Sequence, residues 1–126
     1  MRKFALLAAL LAVFVAGCGT SRVTNLTTTR LARNATGMYP IEFQWDSNQQ
    51  TQIPGSVKPF VVVGYDFYPM RPSLGISNRW ETVIPVGPDK TSVIYHFKIE
   101  YEYRTFGKPE KSSKLSPSYK LEIVDR

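Results

Sequence analysis

The sequence predicts an all-β protein: a single β-sandwich of about seven strands following an N-terminal signal helix. Three observations carry that prediction. Apolar and polar residues alternate at period two in several segments, the pattern of a strand with one buried face. These segments are separated by clusters of Gly, Pro, Asn and Ser, and no helical period is found after residue 20. The first 17 residues have the layout of a secretory signal, with Arg2-Lys3, an apolar run from Phe4 to Val15, and small residues after it.

The apolar stretch from Phe4 to Gly17 is 14 residues, short of the roughly 20 that a helix needs to cross a bilayer core. It is apolar on every face, whereas a helix packed on a soluble core carries a polar stripe. A cleavable signal fits better than a spanning or a core helix. Its ending, Val15-Ala16-Gly17-Cys18, resembles the lipobox of bacterial lipoproteins. That resemblance implies cleavage between Gly17 and Cys18, a thioether from Cys18 to diacylglycerol, and acylation of the new amino group. The membrane is then a partner through the lipid. Gly19 follows the cysteine, which in lipoproteins of well-studied Gram-negative bacteria implies sorting to the outer membrane; with a single membrane, the domain would sit on the outer face of the cell. One acyl chain anchors only marginally, whereas two or three anchor stably.

Removing residues 1–17 from the 126 leaves 109, and losing Arg2 and Lys3 lowers the net charge from +6 to +4. A chain of that size buries about two thirds of its unfolded surface, enough for one independent domain. Cys18 is the only cysteine, so a lipidated Cys18 excludes a disulfide framework and a thiolate metal or redox centre. Residues 18–24 read as the lipidated cysteine and a short polar tether, and residues 25–126 as the domain. Asn25-Leu26-Thr27 and Asn34-Ala35-Thr36 match the glycosylation pattern but read as turn and strand residues beside a bacterial-type anchor.

Within the domain, threonine-rich Val23–Leu31 is the expected first strand. Ile41, Phe43 and Trp45 then alternate with Glu42 and Gln44. Phe60–Val63 is a β-branched run that can pair with Phe67–Met70 across Gly64-Tyr65-Asp66, and Trp80–Val86 is a strand closed by Gly87-Pro88. Val93, Tyr95, Phe97, Ile99, Tyr101 and Tyr103 alternate with Ile94, His96, Lys98, Glu100 and Glu102; Tyr119, Leu121 and Ile123 repeat the pattern near the C-terminus. Pro40, Pro59 and Pro85 fall at strand starts or edges, where a missing N–H is tolerated. The long stretches Asp46–Ser56 and Arg71–Arg79 suit loops that cross between two sheets better than the tight turns of a small closed barrel.

The segment Asn78-Arg79-Trp80-Glu81-Thr82-Val83-Ile84-Pro85-Val86, followed by Tyr95-His96-Phe97-Lys98, resembles the early-set immunoglobulin-like domains that include glycogen- and starch-binding modules. The match covers about twenty residues, a fifth of the mature chain, and rests on Trp80, Ile84, Pro85, Gly87, Tyr95 and Phe97. It implies an immunoglobulin-like β-sandwich and, as a possible ligand class, carbohydrate. Those modules carry a sugar-stacking tryptophan in the hairpin after the Tyr-x-Phe strand; the aromatics here are Tyr101, Tyr103 and Phe106.

Catalytic chemistry finds few parts. His96 is the sole histidine and falls on the polar side of its strand, and the acidic residues are dispersed rather than spaced as a calcium loop. Glu42 with Glu81, or Asp46 with Asp66, are the carboxylate pairs to weigh for glycoside hydrolysis, which depends on their separation. No enzyme activity, metal, cofactor or nucleic-acid partner is expected. Aromatic side chains offer the better lead, because Trp and Tyr bury large area with few rotatable bonds. Tyr65 and Tyr68 around the Gly64 turn, with Arg71 and Trp80, are the candidate contact residues for a ligand or partner. The segment Arg104–Pro117 reads as a long basic loop whose Lys108, Lys111 and Lys114 are candidates for docking on an anionic lipid, glycan or acidic partner. These features together suggest a non-enzymatic interaction or assembly domain anchored at the cell envelope, with a protein partner, or alternatively a carbohydrate-binding module.

Overall fold

The computed structural model describes residues 21–48 and 51–125. The signal segment, its expected helix and Cys18 lie outside the described residues. Those described contain strands and no helix: β1 (Ser21–Asn25), β2 (Arg30–Ala32), β3 (Met38–Ser47), β4 (Lys58–Val63), β5 (Asp66–Pro69), β6 (Arg71–Pro72), β7 (Arg79–Pro85), β8 (Ser92–Arg104), β9 (Pro109–Leu115) and β10 (Tyr119–Val124). One sheet runs β1-β3-β7-β6 and the other β2-β10-β8-β4-β5, with β9 also paired to β8.

The inward residues of each alternating strand form the core between the sheets. Tyr39, Ile41, Phe43 and Trp45 of β3 and Ile84 of β7 face Val61 of β4, Tyr95, Phe97 and Ile99 of β8, and Leu121 and Ile123 of β10. At the centre the Phe43 and Phe97 rings stack across the sheets, 4.7 Å between centroids and 23° between planes. The Tyr95 hydroxyl accepts a hydrogen bond from Asn25 Nδ2 at 2.9 Å, which ties β1 of one sheet to β8 of the other.

The expected first strand, Val23–Leu31, is two strands in different sheets. β1 pairs antiparallel with β3, and β2 pairs parallel with β10. The Asn25 side chain causes the break: its Oδ1 accepts from the Thr27 amide at 3.1 Å, a local bond that competes with a continuing ladder. Thr27 Oγ1 then exchanges bonds with the Glu42 carbonyl and amide, fixing the departure from β3. Residues 21–24 therefore belong to the sandwich, and the expected tether to Thr24 is shorter by those residues.

The expected basic loop, Arg104–Pro117, is also corrected: it is a hairpin whose return strand is β9, in register with β8 from Arg104↔Pro109 to Lys98↔Leu115. Pro-Glu-Lys-Ser-Ser-Lys-Leu has no apolar alternation to announce a strand, so its conformation is imposed by the long β8 and by the turn. Thr105 Oγ1 donates to the Lys108 carbonyl at 2.8 Å, and Gly107 takes a φ of +100°. Lysines on such an edge strand discourage unwanted pairing with another chain. β9 and β10 cover the same edge of β8 in succession. Between them Ser116, Pro117 and Ser118 oppose only His96 and Phe97, a bulge in which proline's missing donor is harmless. Ser116 holds it by accepting from the Phe97 amide at 2.8 Å.

β4 and β5 form the expected hairpin with a shorter turn, since Val63 pairs Asp66 and only Gly64-Tyr65 remain outside. Gly64 has a φ of +60°, as the first central residue of a two-residue II′ turn requires. A Cβ added there meets nothing within 4 Å, so only the left-handed backbone resists substitution. Gly64→Val is expected to cost about 1–2 kcal/mol in urea unfolding, and Gly64→Asn about half of that.

Candidate functional site

The face of the second sheet that points away from the core is the main candidate surface. Strand pairing sets it out in rows. Leu115, Lys98, Phe60 and Pro69 align across β9, β8, β4 and β5, and His96, Val62 and Phe67 align in the neighbouring row. Ile94 and Lys120 lie beyond them. Outward positions of a solvated sheet are normally polar, yet here Phe67, Ile94 and Leu115 are each more than half exposed. Phe60 and Phe67 meet edge to face at 6.3 Å, and Lys98 Nζ lies 5.6 Å from the Phe67 ring centroid. Lys98 also approaches Glu100 at 3.5 Å. Toward the β8–β9 hairpin the face becomes charged, with Lys58, Glu100, Glu102 and Lys111 lining a shallow groove. The result is a partly apolar face around Lys98 with a mixed-charge margin, less polar than the outward side of a solvated sheet normally is.

The four aromatic and arginine candidates are not brought together. Tyr65 is 99% exposed at the tip of the β4–β5 turn. Tyr68 and Trp80 are partly buried and pack against the core. Arg71 lies on the outer face of the other sheet, 3.7 Å from Glu81. Glu42 and Glu81 are directly opposed on that open face in the β3–β7 register, with Arg71 offsetting their repulsion, whereas Asp46 and Asp66 fall at opposite ends of the sandwich.

The three lysines also separate. Lys108 is exposed in the hairpin turn and Lys111 is on the outer face opposite Glu102. Lys114 points inward: its ammonium donates to the Ser21 carbonyl at 2.6 Å and to Ser21 Oγ at 3.0 Å, and lies 6.0 Å from the Trp45 ring. It joins β9 to β1 at the end of the sandwich. At the other end, a hydrogen bond from Arg33 to Asp125 raises the arginine's pKa above its ordinary value; arginine is charged at neutral pH with or without it, so the pair is no pH switch.

Sequence reading missed Phe60, Phe67, Ile94 and Leu115 as a set. The available signal was Ile94, an apolar residue interrupting the polar phase of β8, but alignment with Phe67 and Leu115 needed the pairing of four strands. No family model matches the chain, and no curated protein matches it. The solved structure of murine CRIg is similar at 14% identity with a TM-score of 0.41, over 83% of this chain and 98% of that one.

Proposed function

We propose that the chain is an immunoglobulin-like interaction domain, held at the cell envelope by lipid on Cys18, that binds a protein partner through the outer face of the β8 sheet. The immunoglobulin-like reading is supported by strand order. Lettered along the chain, the sheets read A-B-E-D and A′-G-F-C-C′, with the first strand divided between them. The strands that carry the inter-sheet disulfide in antibody domains are β3 and β8 here, and between them the Phe43–Phe97 stack takes the central position. Export and anchoring are supported by the lipobox Val15-Ala16-Gly17-Cys18.

The single observation that carries the binding role is the cluster of Phe60, Phe67 and Leu115 around Lys98 on the outer face of the sheet, with Phe67 and Leu115 more than half exposed. Tethering makes weak recognition by such a patch sufficient, because a partner in the same membrane meets it at high effective concentration. A glycan platform would need coplanar exposed aromatics, whereas Tyr65 is exposed at the turn tip and Tyr68 and Trp80 are partly buried against the core.

Photo-crosslinking residues placed at Phe67, Ile94 and Leu115 in intact cells test this reading, with Val83 on the outer face of the opposite sheet as control. A common discrete protein adduct from the first three positions, absent at Val83 and lost with Phe67→Asp, is expected. No adduct, or the same adduct from Val83, would contradict it. Retention on sugars abolished by Tyr65→Ala would favour carbohydrate binding instead.

A further inference from the structure

We infer that the end of the sandwich from which the N-terminus emerges is itself a membrane-contact surface, with the tips Phe106 and Leu74 seated in the lipid interface. The inference rests on the anchored reading above and adds an orientation to it.

Six contacts place these features at one end. Ser21 pairs Ser47 at the close of β3, and the loop 73–78 meets the same level where Asn78 accepts from the Trp45 amide. The loop leading into β4 pairs with the far end of β8 through Gln52↔Tyr103 and the Arg104 amide to the Thr51 carbonyl. Trp45 against Tyr101, and Lys114 on Ser21, join the two sheets there.

At that end the β8–β9 hairpin presents Phe106 and the loop 73–78 presents Leu74, both fully exposed, with Ile76 about half exposed beside Leu74. Single exposed apolar side chains are common, but several gathered at one end of a domain mark a contact surface. Arg22, Arg79, Arg104, Lys108 and Lys111 lie at this end against Asp46, Glu102 and Glu110, a net positive balance, and the chain from residue 48 to 57 is uncharged. The opposite end is balanced, with Asp66, Asp89, Glu122 and Asp125 against Arg30, Arg33, Lys90 and Lys120. Cations around exposed apolar tips match an anionic bilayer surface, where headgroups take the charge and the acyl boundary takes the ring.

Reach agrees. Val23 pairs Trp45 and Tyr101 touches Trp45 from the other sheet, so Ser21 lies two residues past that level and Arg104 three. At about 3.3 Å per residue these differ by only a few ångströms. Cys18 is three residues before Ser21, at most about 10 Å away, which allows its lipid and Phe106 to enter one bilayer. The β8 strand then stands across the membrane plane, and its outer face is presented sideways to partners in the same membrane.

The test uses the full lipidated chain, purified from membranes and reconstituted in phosphatidylethanolamine–phosphatidylglycerol vesicles with brominated acyl chains. Phe106→Trp is compared with Tyr65→Trp at the opposite end; both sites are fully exposed, so neither change disturbs the core. Quenching of the Phe106→Trp chain at least about threefold greater than that of Tyr65→Trp is expected for a ring seated in the interface. Equal quenching in chains that float with the vesicles would overturn the orientation alone. Chains that fail to float would overturn the anchor and the orientation with it.

Discussion

Phe97→Ala is expected to lower the unfolding free energy by about 4 kcal/mol, the range seen when a large aromatic is removed from a close-packed core. Phe97 has no exposed surface. Its ring stacks on Phe43 in the opposite sheet, meets Tyr95 edge to face and lies tilted against Tyr119, so truncation opens a cavity where both sheets meet. The effect is large because Cys18 is the only cysteine, leaving no disulfide to hold the sheets if packing fails. The control lies three residues away: Ile94→Ala, on the exposed side of β8, is expected to change stability by no more than about 0.5 kcal/mol. Urea unfolding of both variants measures the contrast. Equal losses would mean that the alternation along β8 does not define the core.

Lys114→Glu is expected to cost about 2 kcal/mol, while Lys111→Glu leaves stability within about 0.5 kcal/mol of the parent. The two lysines are three residues apart on one strand and project to opposite faces. Lys111 is exposed beside Glu102. Lys114 donates to the Ser21 carbonyl and hydroxyl, and a glutamate there would place a carboxylate against a carbonyl oxygen and release β1 from β9. Lys114→Arg, which keeps the charge and donors, is expected to fall between them. Urea midpoints of the three variants provide the check. Identical values for Lys111→Glu and Lys114→Glu would remove the structural role given to Lys114.

That pair also shows where sequence reading stops. Strands with strict alternation were legible: Ile41, Phe43 and Trp45, then Tyr95, Phe97 and Ile99, then Leu121 and Ile123 all point inward as their period requires. The first strand was legible as extended chain but not as two strands, because the switch between sheets depends on Thr27, turned by the Asn25 side chain, bonding to Glu42, a residue far along the sequence. β9 was illegible because nothing in Pro-Glu-Lys-Ser-Ser-Lys-Leu favours a strand until β8 offers it an edge. The candidate surface fared likewise. Phe60, Phe67, Ile94 and Leu115 come from four strands, and only strand register makes them neighbours. Residues chosen for their chemistry alone, such as Tyr65 and Arg71, were dispersed by the same register.

The proposed tethering stands or falls with Cys18. Intact-mass spectrometry of the chain extracted from the membranes of an expressing bacterium reads this directly. The expected species begins at Cys18 and carries a diacylglycerol thioether with an additional acyl group on the amino terminus. A chain that retains residues 1–17, or one cleaved elsewhere with a free Cys18 thiol, would contradict it.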